Sequence, residues 1–252
     1  MRILLLNPNM TQSVTERMAE AGRSVMAVGT QIIEATAEKG VPYISNRAEA
    51  QIGGAIALEM LADHIGKIDA AIVAAFGDPG VPAARELFDF PVVGVSEAAM
   101  LTACMLGHRF AVVSFSQHLV GWYRDCVELN GMLGRCAGIH TLDLSFSDVA
   151  SDMDRNESLL VEFAERVVKE SGADCLIFGG APLAGLANRA RDRIPVAIVD
   201  PVSAAVKQAE ALVALGPRKS VLGSFRRPPP KPTRGLAPAL AARIEHRDAD
   251  SK

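Results

Sequence analysis

The chain contains an apolar run that ends in a glycine-rich turn and leads directly into a helix. This stretch, Ile68 to Glu86, has the sequence IDAAIVAAFGDPGVPAARE. Its uninterrupted apolar part, Ala70 to Ala75, is typical of a strand that is buried on both faces. Asp78 or Pro79 then stands where helix N-caps and first-turn prolines are favoured. We expect the free N–H groups at this helix start to face a ligand beyond the end of the strand.

The same arrangement recurs 105 residues later, counted from Asp69 to Asp174. There an apolar run again leads through small residues and a proline into a helix. Two further segments repeat: the apolar run that begins at Arg2 returns at Arg109, an offset of 107 residues, and the run at Pro91 returns 104 residues later. Three matched pairs in the same order predict a duplicated α/β fold whose halves face each other.

The repeat also predicts how the chain divides into domains. We expect residues 1–98, together with about 205–235, to form a first α/β half, and residues 99–204 to form the second. The run Pro228 to Pro232 is typical of a stiff, extended linker. The charged C-terminal segment, residues 236–252, is predicted to be a disordered tail.

Composition excludes several classes of function. The chain has 252 residues, a formal net charge of −3 and a pI near 6.0, which gives no basic surface for nucleic acid. No apolar run is long enough to span a membrane, and the N-terminal MRILLL is too short for a signal peptide. The four cysteines and five histidines are scattered without metal-ligand spacing. We therefore expect a cytoplasmic protein with a small-molecule substrate, no membrane or nucleic-acid partner, no metal and no other cofactor.

Polar residues follow several of the predicted strands, which is where open α/β sheets bind ligands. Capping of the following helices by Thr11, Ser13 or Ser96 explains part of this pattern equally well. The predicted substrate-contacting residues are Asn7, Asn9, Thr11, Tyr43, Gly77, Ser114, Gly180, Ala181 and Pro182. The candidate catalytic residues, all titratable or nucleophilic, are Asp78, Ser96, Glu97 and His118. Trp122 and Tyr123 lie in a predicted helix and are interpreted as packing residues.

Four segments of the chain resemble the aspartate/glutamate/hydantoin racemase superfamily, most closely its hydantoin and allantoin racemase branch. They are Asn7-Pro8-Asn9, Ala74 to Gly80, Val95 to Met100 and Phe178 to Gly185. The resemblance extends over about residues 1–235. It implies two pseudo-symmetric flavodoxin-like halves with parallel sheets, an active-site cleft between them, no cofactor, and assembly into a homo-oligomer.

The resemblance also implies an unusual site. Racemases of this family place one cysteine on each side of the substrate's stereocentre, so that a thiolate removes a proton while a thiol returns one on the opposite face. Ala75 and Gly180 stand at the two cysteine positions of this chain, and their separation of 105 residues equals the offset of the internal repeat. We therefore expect that the two-thiol mechanism does not apply.

Three functional hypotheses remain open from the sequence. The first is a racemase-family enzyme for a hydantoin, ureide or small carboxylate that uses other acid–base groups. The second is a lyase or hydrolase in the same pocket, which catalyses decarboxylation, C–N or C–S cleavage, or hydrolysis. The third is a non-catalytic protein that binds a small acid or ureide.

Overall fold

The computed structural model describes residues 1–144, 146 and 153–248. The elements up to residue 106 are β1 (Arg2–Asn7), α1 (Gln12–Arg23), β2 (Gln31–Thr36), α2 (Arg47–Ala62), β3 (Ala70–Val73), α3 (Val81–Leu87), β4 (Val92–Gly94) and α4 (Val95–Leu106). Those that follow are β5 (Phe110–Ser114), α5 (Val120–Leu129), β6 (Cys136–Thr141), α6 (Met153–Ser171), β7 (Cys175–Phe178), α7 (Leu186–Ala190), β8 (Ala197–Val199), α8 (Pro201–Leu215) and α9 (Pro238–Ile244). Among the described residues, no helix combines the length and apolar character that crossing a membrane requires.

The strands form two parallel sheets with equivalent orders, β2-β1-β3-β4 and β6-β5-β7-β8. All residues of β1 except Arg2, and every residue of β3, β5 and β7, are buried, as expected for the central strands of sheets covered by helices. The predicted α/β class with two parallel sheets is therefore confirmed.

The internal repeat extends to individual hydrogen bonds. Asp69 Oδ2 accepts a hydrogen bond from the Arg2 backbone N–H at 2.6 Å. Asp174 Oδ2 accepts one from the Arg109 N–H at 2.9 Å and another from His108 at 2.8 Å. In each half, an aspartate just before one central strand thus fixes the start of the neighbouring strand. The residues matched by the repeat occupy equivalent places in the two sheets.

Two helices join the halves by crossing from one to the other. Helix α4 directly follows β4 but packs against β7 and β8, whereas α8 follows β8 and packs against β3 and β4. The two helices also contact each other, and Gln208 Nε2 donates hydrogen bonds to Ala98 O at 2.9 Å and to Thr102 Oγ1 at 3.1 Å. Ala98 and Ala205 are fully buried at this crossing. Small side chains let the helices approach closely, and the two sheets share one core.

The predicted disordered tail is wrong for most of its length. Residues 238–244 form α9, which packs against α2 and buries Leu240 in the hydrophobic cluster of the first sheet. Arg243 is 4% exposed; its Nε donates to Leu87 O at 2.6 Å, and its guanidinium forms ion pairs with Asp89 and Asp248. The charged composition suggested disorder because the sequence does not reveal these carboxylate partners. Residues 249–252 lie outside the described residues.

We expect Leu240→Ala to lower the free energy of unfolding by about 2–3 kcal/mol, since it removes a buried leucine side chain without a replacement. Chemical denaturation measures this loss, and faster amide exchange in residues 238–244 would locate it. Leu236→Ala is the matched control because Leu236 is 42% exposed, and its effect should stay within about 0.5 kcal/mol. Equal effects of the two variants would contradict the docking of α9.

Candidate active site

The turns that follow β3 and β7 meet at a small, mostly buried cavity, here called the inner chamber. Its volume is about 10 Å³, and it is lined by Asn9, Tyr43, Ile44, Ala75, Phe76, Trp122, Tyr123 and Ala181. Ala75 belongs to the turn after β3, and Ala181 to the equivalent turn after β7. The chamber has room for about one water molecule. The duplicated fold thus brings two equivalent turns to one enclosed point.

Gly180 lies beside the chamber rather than in its wall. It lines a second cavity of about 10 Å³ that shares Phe76 and Ala181 with the chamber. Its φ of +128° is a conformation that L side chains rarely adopt. A Cβ atom at this position would lie 3.1 Å from Phe115 Cε1 and 3.6 Å from the Tyr123 hydroxyl. A side chain at residue 180 would therefore press against the Phe115 ring, whereas the Tyr123 hydroxyl lies at ordinary contact distance.

The polar groups inside are two tyrosine hydroxyls and an asparagine. The hydroxyls of Tyr43 and Tyr123 interact with each other, and that of Tyr123 also faces Ser114 Oγ. Ser114 is fully buried, and its Oγ makes no hydrogen bond of good geometry within the described residues. Burial is the main cause that raises the pKa of both tyrosines well above the ordinary value. Both phenols are therefore protonated at neutral pH and act as hydrogen-bond donors.

The loop after β1 holds Asn9 in place through its neighbours. Asn7 Nδ2 donates to Asn9 Oδ1 at 3.1 Å and to Thr15 Oγ1 at 2.9 Å, and the Thr11 N–H donates to Asn9 Oδ1 at 3.0 Å. Thr11 Oγ1 donates to Pro42 O at 2.6 Å, which ties the loop to the Tyr43 segment. Of the three predicted contact residues in this loop, Asn9 reaches the chamber, and Asn7 and Thr11 orient it.

Three of the four candidate catalytic residues, Asp78, Ser96 and Glu97, link the glycine-rich turn to the start of α4 by hydrogen bonds. This hydrogen-bonded cluster is called the joint. Asp78 Oδ1 accepts from the Ser96 N–H at 2.9 Å, and Oδ2 accepts from the Glu97 N–H at 2.8 Å. Ser96 Oγ in turn accepts from the Gly77 N–H. The Glu97 carboxylate is engaged by Arg85, with 3.1 Å between Nη1 and Oε1. The joint fixes the turn on the free amides at the start of α4.

The second half has an equivalent joint. Asp200 Oδ2 accepts from the Gly185 N–H at 2.7 Å, and Oδ1 accepts from the Ser203 N–H at 2.8 Å. In addition, the Pro182 carbonyl accepts from Arg17 Nη1 at 2.8 Å, so that α1 is bound to the turn after β7. Both turns are thus fixed to a crossing helix by an aspartate.

Asp78 is the most perturbed carboxyl of the joint. The residue is 8% exposed and has a φ of +52°, which is uncommon for a residue other than glycine. Burial raises its pKa to about 7, although the Ser96 and Glu97 amides stabilise its charged form. Cys126 of α5 lies close to Ser96 and Asp78, and burial raises the pKa of its thiol. Its place in this cluster was not evident from the sequence, where no motif surrounds it.

The remaining residues singled out from the sequence are His118, Trp122 and Tyr123. His118 is exposed in a short 3₁₀ turn, Gln117–Leu119, and lines none of the cavities described here. Trp122 and Tyr123, interpreted from sequence as packing residues, are indeed buried but also line the chamber. Within residues 1–144, 146 and 153–248, no cluster of three His, Cys, Asp or Glu side chains is arranged to hold a metal ion.

A much larger cavity, the outer groove, lies against the glycine-rich turn. Its volume is about 560 Å³, within the range of small-molecule sites. Helix α2, the turn with the start of α3, and helix α5 form its walls. The lining residues are Arg47, Ala50, Gln51, Gly54, Ala55, Leu58, Gly77, Asp78, Pro79, Gly80, Pro82, Ala83, Trp122, Asp125, Cys126 and Leu129.

The Asp78→Asn variant tests the buried carboxyl through the pH dependence of stability. The Asp78 pKa is about 7 in the folded protein, against an ordinary value of 3.8. Because the folded state holds the proton more tightly, the parent protein loses stability as the pH rises from about 4 to about 7. Asparagine cannot ionise, so the variant should gain stability relative to the parent over this window, by up to about 4 kcal/mol.

Urea unfolding at about pH 4 and about pH 8 measures this gain. Asp63→Asn, at an exposed position after α2, controls for the loss of one carboxylate. A stability difference between Asp78→Asn and the parent that does not change with pH would contradict the assignment.

Comparison with known proteins agrees with the resemblance seen in the sequence. The sequence profile of the Asp/Glu/Hydantoin racemase family matches residues 3–209. A hydantoin racemase of Paenarthrobacter aurescens is 34% identical over 233 residues, which cover 92% of this chain and 99% of that protein. The allantoin racemase from Klebsiella pneumoniae has a TM-score of 0.90 at 34% identity, covering 95% of this chain and 98% of its own. Allantoin racemase from Pseudomonas fluorescens has a TM-score of 0.89 at 33% identity, covering 93% and 100%. The chain belongs to the Asp/Glu/hydantoin racemase family.

Proposed function

We propose that this chain is a cofactor-independent racemase-family enzyme that acts on a small hydantoin-, ureide- or carboxylate-type substrate in the inner chamber. The observation that carries the proposal is the meeting of two equivalent turns, at Ala75 and Ala181, around an enclosed point lined by hydrogen-bond donors. Hydantoins and allantoin, after which the similar proteins are named, are cyclic ureides. Such rings present carbonyl oxygens next to the carbon whose configuration inverts.

The hydrogen-bond donors of the chamber suit the negative charge that develops on the substrate's carbonyl oxygen during racemisation. Removal of a proton from a carbon beside a carbonyl group leaves a planar enolate; in this proposal the proton passes to a water molecule that enters with the substrate, and solvent returns a proton to either face of the enolate. Donors aimed at the enolate oxygen lower the barrier to this step. The Tyr123 hydroxyl and the Asn9 amide are the groups proposed for this role. The raised pKa of Tyr123 keeps its proton in place at neutral pH. Burial of both groups strengthens these hydrogen bonds because it lowers the local dielectric constant.

We infer that the chemistry does not use a thiol pair. The resemblance assigns the family's two cysteines to the positions of Ala75 and Gly180. Ala75 lines the chamber, so a thiol at this position would point to the proposed site. At Gly180, the positive φ and the Phe115 ring oppose any side chain. In this proposal, Asp78, Ser96 and Glu97 support the turn, since their side chains are engaged by α4 amides, by the Gly77 N–H and by Arg85.

Incubation with an L-hydantoin and with one enantiomer of allantoin in deuterated water tests the proposal. We expect loss of optical rotation together with replacement of the α-proton by deuterium, followed by polarimetry and NMR. The spontaneous rate without protein is the control. Release of carbon dioxide, ammonia or a ring-opened acid would instead identify a lyase or hydrolase. Thermal stabilisation by the ligand without any reaction would identify a binding protein. Either of these results would overturn the proposal.

Tyr123→Phe removes one donor and leaves the ring in place. We expect kcat for racemisation to fall on the order of 100-fold, the usual effect of losing one donor to a developing oxyanion. Stability should change by only about 1 kcal/mol, the net contribution of one hydrogen bond. Thermal unfolding of the variant provides the control for folding. A kcat within twofold of the parent would exclude Tyr123 from the reaction.

A further inference from the structure

Trp122 forms a wall between the two cavities. It is 7% exposed and lines both the inner chamber and the outer groove. Its indole lies flat against the glycine-rich turn: a Cβ atom at Gly77 would be only 2.3 Å from Cζ2 of the indole. Gly77 has a φ of +110°. Because residue 77 has no side chain, the indole can fill the gap between the turn and α5.

The size of the inner chamber requires that it widen before it admits a substrate ring. The chamber has a volume of about 10 Å³, which is far smaller than a ureide ring, whereas the groove has about 560 Å³. The groove is bordered by the exposed side chains of Ala55 and Leu129, so a small molecule reaches its floor from solvent. At that floor only the Trp122 side chain is shared with the chamber among the described residues.

An exposed ion pair holds the wall closed from outside. Arg47, at the start of α2 in the first half, donates to Asp125 Oδ1 at 2.9 Å and to Gly121 O at 3.1 Å. Gly121 and Asp125 flank Trp122 on α5, so these contacts fasten the indole's helix to the opposite side of the groove. The side chains of the pair are 63% and 50% exposed. Such a pair contributes only about 0–1 kcal/mol, so the packing of the buried Trp122 is the main contact that opening breaks.

The opposite side of the chamber is closed by aromatic stacking. Tyr43 stacks on Phe146 with ring centres 4.5 Å apart and an angle of 14° between the rings. It also contacts Phe115 at 5.7 Å. Opening on this side would break two aromatic contacts of the half-buried Tyr43, one to Phe146 and one to the fully buried Phe115, each worth about 0.5–1.5 kcal/mol.

We propose that the outer groove is the access route to the inner chamber and that Trp122 is the gate residue between them. The ligand is a small uncharged ring of the ureide class, which stacks on the indole as it passes. The class of ligand rests on the proposed function, whereas the route rests on the geometry alone. Rotation of the indole away from Gly77 joins the two cavities. The Arg47–Asp125 pair sets how often α5 moves far enough to allow this rotation.

A thiol in the chamber measures the opening without any substrate. The variant Ala75→Cys places a reporter in the chamber wall, and methyl methanethiosulfonate, a small neutral reagent, modifies it only when the chamber is open. Peptide mass spectrometry separates this modification from that of the native cysteines. We expect A75C to react slowly, and at least fivefold faster when Trp122→Phe is added.

Filling the groove tests the route. Ala55→Phe and Ala83→Phe, introduced together into A75C, narrow it from α2 and α3, and we expect at least fivefold slower modification. Ile52→Phe is the matched control, because Ile52 is an exposed residue of α2 that does not line the groove, and it should leave the rate unchanged. Trp122 is the only tryptophan of the chain, so quenching of its fluorescence by acrylamide should also fall in the filled variant.

The outcomes of the thiol-modification experiments test the proposed gate independently of the proposed racemase function. An unchanged modification rate in the filled variant, combined with acceleration by Tyr43→Ala, would overturn the proposal and assign access to the Tyr43 side. An A75C thiol that stays unmodified even with Trp122→Phe would also overturn it. Since the assay uses no substrate, a failure to racemise hydantoins would leave this result standing, and a negative result here would leave racemisation standing.

Discussion

The exchange of helices between the two sheets is the packing constraint on which the site depends. Helix α4 leaves the first sheet and packs on the second, and α8 does the reverse, so that the halves share a core and cannot move apart independently. Asp78 and Asp200 then attach a turn to the start of each crossing helix. Because parallel strands end at the same edge of a sheet, this arrangement holds the turns after β3 and β7 against each other.

The chamber that results is mostly buried, aromatic and uncharged. Its polar atoms belong to Asn9, Tyr43 and Tyr123. Asn7 donates a hydrogen bond to Asn9, Ser114 faces the Tyr123 hydroxyl, and the two tyrosine hydroxyls interact with each other. Such a site suits a neutral ring with several carbonyl and N–H groups, which it can orient by hydrogen bonds. The perturbed carboxyl, Asp78, lies on the groove side of the turn. Burial is the main cause of its raised pKa, and both of its carboxylate oxygens accept hydrogen bonds from the start of α4.

A single aromatic residue connects the chamber with the groove. Trp122 packs on Gly77, and its helix is fastened across the groove by the Arg47–Asp125 pair. The first half supplies Gly77 and Arg47, and the second supplies Trp122 and Asp125. The wall between the chamber and the groove is thus formed by contacts between the two halves. Like the meeting of the two turns, it depends on how the halves are positioned relative to each other.

The sequence alone determined the fold class and indicated that two equivalent turns meet. Apolar runs and turns can be read from neighbouring residues, and their recurrence at offsets of 104–107 residues was sufficient to predict two equivalent sheets. The segments around Asn9 and Ala75 were sufficient to indicate the family. The sequence could not determine which polar residues face the inner chamber. Asp78, Ser96 and Glu97 looked like candidate catalytic groups, and Trp122 and Tyr123 like packing, because side-chain direction depends on partners far away in the chain.

The tertiary structure showed what these side chains contact. It showed that His118 is exposed, that α9 docks where a disordered tail was predicted, and that Phe115 and Tyr123 occupy the space next to Gly180. Each of these results follows from contacts between residues distant in sequence, whose energies no local pattern records. The sequence therefore determined where the turns meet, and only the packing of the two halves decided what surrounds them.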